Sequence, residues 1–341
     1  MIAALAAAVL QQAGPQALPP VDFALRGVPF PGLGEPRTVG CLSLRAGLTL
    51  ETERGGFGGY SDLSLEGPDG RATLVSDAGH VLWVRFGYDT EGDIVSVSEA
   101  SLAGIVERDG STLGKRDGDA EGLAWIGGGY AVSFEGEHRL ARMGVDGVLG
   151  ETSYPAPGDA RAFGLNSGLE ALARLTDGRL IAMSEGTDAK GDAVVLRGRM
   201  DEPLEGWDRA RYRPAEGFAV TGASADPLTG DLFVLERAYS PWRGVRMRVV
   251  RVSADGLDAE VLRGRQLTRM GFLEGIDNME GIAAARTEAG ELRLYLVSDD
   301  NFSAAQRTVV LTLGLAPGCE DGDAAQAPAR GDAAPQDAVE E

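Results

Sequence analysis

The chain has 341 residues, of which 43% are apolar and 49 are glycine, and its 32 basic and 52 acidic side chains leave a formal charge of −20. That charge repels nucleic-acid backbones and anionic membrane surfaces at long range, which argues against both as partners. Abundant glycine without sustained helical periodicity excludes a helix bundle and points to many short strands joined by tight turns.

From the N-terminus, the apolar run Met1–Leu10 is too short to span a bilayer but long enough for the core of a signal peptide. Residues 1–20 are therefore read as an export signal, and the mature protein as periplasmic or secreted. No Lys or Arg precedes the apolar core, and the cleavage position, near Ala13 or Ala17, stays open. Val21–Val28 alternates like an edge strand, PFPGLGEP after it is a loop, and Cys41–Glu53 reads as one or two strands.

From Tyr60 onward one pattern recurs: two short apolar runs joined by a Gly-containing turn, with an acid closing the second. The copies are YSDLSLEGPDGRATLVSD at Tyr60, DAEGLAWIGGGYAVSFE at Asp119, SGLEALARLTDGRLIAMSE at Ser167, VTGASADPLTGDLFVLER at Val220 and NMEGIAAARTEAGELRLYLVSDD at Asn278. Each reads as a hairpin. The closing acids Asp77, Glu135, Glu185, Glu236 and Asp299 are 58, 50, 51 and 63 residues apart, a period suited to a four-stranded propeller blade. The expected third and fourth strands are His80–Phe86 and Ile94–Ser98, Arg139–Gly144 and Val148–Tyr154, Ala193–Arg199 and Trp207–Arg213, then Arg246–Ser253 and Leu257–Arg263.

The fifth repeat ends one strand short, after Thr308–Leu313. Ring closure removes the unpaired edges of an open stack, so Cys41–Glu53 is the natural missing strand. The expected fold is all-β: a single β-propeller domain over residues 21–316, with five four-stranded blades closed by an N-terminal strand, or six if Val21–Glu53 forms a degenerate extra blade. Residues 317–341 are Ala, Pro, Gly, Gln and acids with no apolar run, and read as a disordered tail.

In a propeller the first strand of each blade lines the channel, and a hairpin places its start beside the end of the second. Asp62, Glu121, Glu170 and Glu280 then share a face with Asp77, Glu135, Glu185, Glu236, Asp299, Asp300 and Asn301. Repeat four, with Gly222 and Ser224, lacks the first acid. Crowded carboxylates repel unless a cation or arginines neutralise them. Clustered carboxylate oxygens suit a hard ion such as Ca²⁺, with Glu121, Glu170, Glu280, Asp299 and Asp300 as candidate ligands. Arg139, Arg237 and Arg307 follow acids closely and, with Asn301, are candidate substrate contacts. The alternative is that each acid caps its own blade by accepting strand-end N–H groups. With only two histidines, His80 and His138, and two cysteines, a multi-His metal site is excluded; no Gly-x-Ser-x-Gly elbow or P-loop is present.

Five segments, EGLAW at Glu121–Trp125, NSGLEAL at Asn166–Leu172, LFVLER at Leu232–Arg237, DNMEGIA at Asp277–Ala283 and SDDNFSAAQRT at Ser298–Thr308, resemble the family called esterase-like activity of phytase. The resemblance spans roughly Gly58 to Leu313 and implies phosphoester or ester hydrolysis on a propeller. A lysine-rich phosphate cradle is absent here, since the chain has only Lys115 and Lys190, which leaves arginines to bind phosphate.

The expected activity is metal-assisted hydrolysis of a small phosphoester or ester, with Glu280 or Glu170 as base and Arg237 and Arg307 holding phosphate. The other reading is a non-catalytic binding propeller for a ligand or protein partner. Closure also predicts a disulfide between Cys41, at the start of the closing strand, and Cys319, just after the strand it pairs with. Its entropic contribution has a ceiling of about 5 kcal/mol.

Overall fold

Each repeat folds into one antiparallel sheet whose strands run in chain order outward from a central axis. The computed structural model describes residues 21–319 apart from 23, 30–36, 68, 156–167 and 272–273. The expected signal peptide and all but the first residues of the tail lie outside the described residues. Blade one is Tyr60–Leu65, Arg71–Ser76, His80–Tyr88 and Ile94–Gly104; blade two is Ala120–Trp125, Tyr130–Phe134, Arg139–Met143 and Leu149–Ser153. Blade three is Leu169–Arg174, Leu180–Thr187, Ala193–Gly198 and Asp208–Tyr212; blade four is Ala219–Ala225, Leu232–Ser240, Gly244–Val252 and Arg265–Gly271. Blade five takes Met279–Arg286, Leu292–Ser298 and Val309–Leu315 from the fifth repeat and Leu42–Glu51 from the N-terminal side. The protein is a five-bladed β-propeller.

Five hydrophobic clusters hold the ring, each shared by two neighbouring blades. Strands close to the axis are buried on both faces, which is why Tyr130–Phe134 and Leu292–Ser298 show no polar alternation: every residue in them is buried. The N-terminal segment locks the ring. Leu42–Glu51 pairs with Val309–Leu315, Arg26–Pro29 adds outside it, and Val21–Asp22 crosses to the outer edge of blade one.

Cys41 and Cys319, 278 positions apart in sequence, are joined by a disulfide with a Cα–Cα distance of 5.5 Å. Replacing both cysteines with serine is expected to lower unfolding free energy by about 2–4 kcal/mol without altering the fold. Urea unfolding of the variant against the oxidised parent checks this; coincident curves would deny the bridge any part in stability.

One strand expectation needs correcting. Leu257–Arg263 is not the outer strand of blade four: Val261–Leu262 pairs in parallel with blade three, and Arg265–Gly271 supplies the fourth strand. Buried Leu267 and Met270 anchor that strand in the core between blades four and five, whereas Val261 and Leu262 alone make too short an apolar run to form a full edge.

Where the inner strands meet, space is short. A Cβ on Gly281 would lie 2.6 Å from the Cα of Asp62, and one on Gly222 would lie 2.7 Å from the Glu280 carbonyl oxygen. Blade one carries Asp62 at the corresponding position. Its buried carboxylate accepts the N–H groups of Leu63, Leu123 and Ile282, tying blades one, two and five at the axis. Full burial pushes the Asp62 pKa well up, partly offset by those N–H donors. Asp62 thus serves the axis, not the mouth.

Candidate functional site

The register explains how side chains reach the mouth. In every blade the pairing of first and second strands slips once near the start of the first. The unmatched residue is Ser61, Glu170, Thr221 or Glu280, and in blade two Glu121 and Gly122 together face Ser133. A β-bulge re-aims the side chain it carries. Beside it, one residue beyond the matched pair on the second strand, stand Asp77, Glu135, Glu185, Arg237 and Asp299.

Two sequence assignments shift by one residue on this register. Glu236 occupies the place held by Ser76, Ser184 and Ser298 in other blades, and it is buried. It accepts the Tyr212 hydroxyl (2.6 Å) and the Ala215 N–H (3.2 Å) and pairs with Arg248, away from the mouth. Arg237 takes the position that is acidic in the other four blades. The missing acid of the first strand is replaced by Thr221, not by Gly222 or Ser224.

The mouth is a cavity of about 940 Å³ whose wall includes Glu121, Glu170, Glu280, Asp299, Asn301, Arg237 and Arg307, all singled out from the sequence. Arg237 lies 3.1 Å from Glu280 and 3.6 Å from Glu185, and it donates to the Asn278 side-chain oxygen at 3.1 Å. The Asn278 amide in turn donates to Glu280 (2.8 Å). Arg307 donates to Asp277 at 3.4 Å, and the Asn301 N–H to Asp299 at 2.6 Å.

Two candidates sit elsewhere. Asp300 accepts the Gly59 and Phe302 N–H groups (both 3.0 Å) and the Thr308 hydroxyl (2.9 Å), so it clasps blade five to blade one instead of lining the cavity. Arg139 is buried, stacks 4.1 Å from the Phe134 ring centre and donates to the Asp117 carbonyl. It follows Glu135 in sequence, but it opens the third strand of blade two and faces the core.

The tightest acid group is Asp119, Glu121 and Glu135, with oxygens all within 4.8 Å of one another. Asp119 was missed because it precedes the strand whose register defines the repeat; the DAEGL spelling, with acids at alternate positions, was the available signal. Burial pushes the Glu121 and Glu170 pKa values well above the usual carboxyl range, reinforced at Glu121 by Glu170 and at Glu170 by Glu185. Burial also raises Glu280 to about 8 against the pull of Arg237, and Glu135 to about 7 with help from Asp119. Asp77 and Asp299 rise to about 6, again chiefly through burial.

Such a set can hold protons or a cation. All its donors are oxygens, neither histidine lines the cavity, and the buried Asp77 Oδ1 has no hydrogen-bond partner among the described residues. These features fit a hard divalent ion such as Ca²⁺.

The protein is thus a five-bladed propeller whose acidic mouth is built on β-bulges. The sequence model of the phytase-like family, described as esterase-like activity of phytase, matches residues 55–302. The chain belongs to that family. No curated protein matches. Among solved structures, the chain is similar to a protein of unknown function from Dyadobacter fermentans, with 11% identity, a TM-score of 0.42, and coverage of 81% of this chain and 99% of that one. It is also similar to a glucose dehydrogenase (13%, TM-score 0.41, 81% and 99% covered) and to a hypothetical protein from Leishmania major (11%, TM-score 0.41, 84% and 92% covered).

Proposed function

We propose that the chain is an exported hydrolase of small phosphoesters whose acidic mouth works with a bound divalent cation, Ca²⁺ in the first instance. The observation that carries this reading is the replacement of one acid by Arg237 in an otherwise acidic ring. A purely structural set of caps has no need of one cation placed between Glu280 and Glu185 of the two neighbouring blades. Asp119, Glu121 and Glu135 would hold the ion, with Glu170, Glu280 and Asp299 beside them. When bound, the ion supplies positive charge to a phosphoryl oxygen and lowers the pKa of a water.

The chain's own groups perform the rest. Arg237 and Arg307 suit two phosphate oxygens, since a guanidinium donates in a fork. Glu280, fixed by Asn278 and Arg237, takes the proton of the attacking water as its oxygen bonds to phosphorus. The phosphorus–alkoxide bond breaks, and the proton passes to the departing alcohol. Glu170 is the other candidate base.

Apolar groups at the mouth are few, chiefly Tyr239, Val245 and Ile276, which supports a small polar substrate over a protein partner. The test compares a simple phosphate monoester and a simple carboxylic ester, each with calcium and with chelator. Calcium-dependent turnover of the phosphate ester, lost in Arg307→Ala, is expected. Calcium binding without turnover of either ester would turn the reading to a binding propeller.

A further inference from the structure

Beside the acidic mouth lies a cavity of opposite character. The hairpin joining the second and third strands of blade four separates them, and Gly244 lines both. Tyr239 and Val245, a cross-strand pair, face the acidic cavity. On the other side, a groove of about 640 Å³ is lined by Trp242, Arg243, Arg246, Arg269 and Glu274, among others.

Three guanidiniums, those of Arg246, Arg248 and Arg269, lie 5.3, 5.5 and 5.2 Å from the ring centre of Phe218. One aromatic face cannot offset the mutual repulsion of three cations. Arg248 is neutralised by Glu236. Arg246 and Arg269 form no ion pair among the described residues, and the buried Arg246 Nε has no hydrogen-bond partner among them. The one acid among the described residues of the groove, Glu274, is engaged by the Gly271 N–H (2.8 Å) and by Arg37 (3.4 Å). Burial, with Arg269 and Arg243 nearby, pushes the Arg246 pKa down, as expected of a cation lacking a counter-charge. At the hairpin tip the Trp242 indole is 93% exposed, a flat surface at the edge of this cationic groove.

We propose that this arginine groove is an anion subsite that takes a second phosphate of the substrate whose scissile phosphoester lies in the acidic mouth, with Trp242 covering the carbon skeleton between them. The substrate class is then a small bisphosphorylated compound. The groove as an anion site stands on its own geometry; its assignment to the substrate rests on the hydrolase reading above.

Two measurements separate these. Inorganic pyrophosphate is titrated calorimetrically into protein stripped of metal on chelating resin. The parent is expected to bind, with affinity at least tenfold weaker in Arg246→Gln/Arg269→Gln and also reduced in the exposed single variant Arg269→Gln, whose folding is checked by thermal melt. No binding by the parent, or equal binding by the variants, overturns the subsite whether or not the protein is an enzyme. Steady-state kinetics then compare a sugar bisphosphate with a phosphate monoester in the presence of calcium. The double variant is expected to raise KM at least tenfold for the bisphosphate alone; an equal rise for both esters, or turnover of neither by a parent that binds pyrophosphate, overturns the substrate assignment. Sedimentation with phosphatidylglycerol vesicles in the absence of pyrophosphate binding would point to a lipid headgroup and overturn the soluble ester.

Discussion

Glu280→Gln is expected to slow phosphate-ester hydrolysis about 100-fold or more while leaving the protein at least as stable as the parent at pH 8. General-base catalysis is typically worth about 10²–10⁴ in rate, and glutamine cannot take a proton from water. Glutamine does keep the shape of the side chain and an oxygen for Asn278 and Arg237. In the ion-free protein the parent carboxyl keeps its proton up to about pH 8 because burial outweighs Arg237, whereas the unfolded chain gives that proton up near pH 4; the difference costs the parent stability by pH 8, and the neutral amide avoids it. A structural cap would behave in the opposite way, losing about 1 kcal/mol of stability and little rate. Initial rates and thermal melts on the same preparations distinguish the two.

In protein freed of divalent ions, folding stability is expected to fall by several kcal/mol as the pH rises from about 5 to about 8. In an unfolded chain Asp and Glu ionise near pH 4, so above that value the folded form carries the extra protons. The protein that binds more protons is favoured by acid. Stability contributed by these carboxyls is thus fully present below about pH 4 and is lost as pH passes about 6 for Asp77 and Asp299, about 7 for Glu135 and about 8 for Glu280. Each tenfold displacement of a proton equilibrium is worth about 1.4 kcal/mol, and the groups are coupled, so the sum is less than additive. Asp226 acts the other way: burial opposes its ionisation, but Arg286 and nearby donors hold its pKa low, so its contribution is lost only at more acid pH. Urea unfolding at pH 5 and pH 8, with and without calcium, is the check. Calcium should restore stability at pH 8 far more than at pH 5; a metal-free stability that is flat or rises over this range would contradict the account.

The repeat, the blade count and the closing strand were legible because burial on both faces leaves continuous apolar runs, and turns such as TDG and EAG punctuate them. The mouth was legible less finely. Sequence spacing placed Asp62 with Glu121 and Glu236 with Glu185, but a β-bulge adds one residue to each first strand, and only hydrogen-bond register shows which residue is extra. The true counterparts are Ser61 and Arg237. Arg139 and Asp300 failed as candidates for a similar reason: closeness to an acid in sequence does not fix the face to which a side chain turns. The Phe218 arginine cluster was invisible, since its members come from the approach to blade four and from its third and fourth strands.

Calcium titration by calorimetry, repeated at pH 7.5 in two buffers of different ionisation enthalpy, reads ion binding at the mouth and the protons it displaces together. Carboxyls that retain protons at this pH must release them to bind an ion, so saturable binding of calcium with release of at least one proton per ion is expected. Both should be lost in Glu121→Gln, whose carboxyl belongs to the tightest acid group. Absence of binding heat in the parent, or binding with no proton release that survives Glu121→Gln, would contradict a divalent-ion site at the mouth.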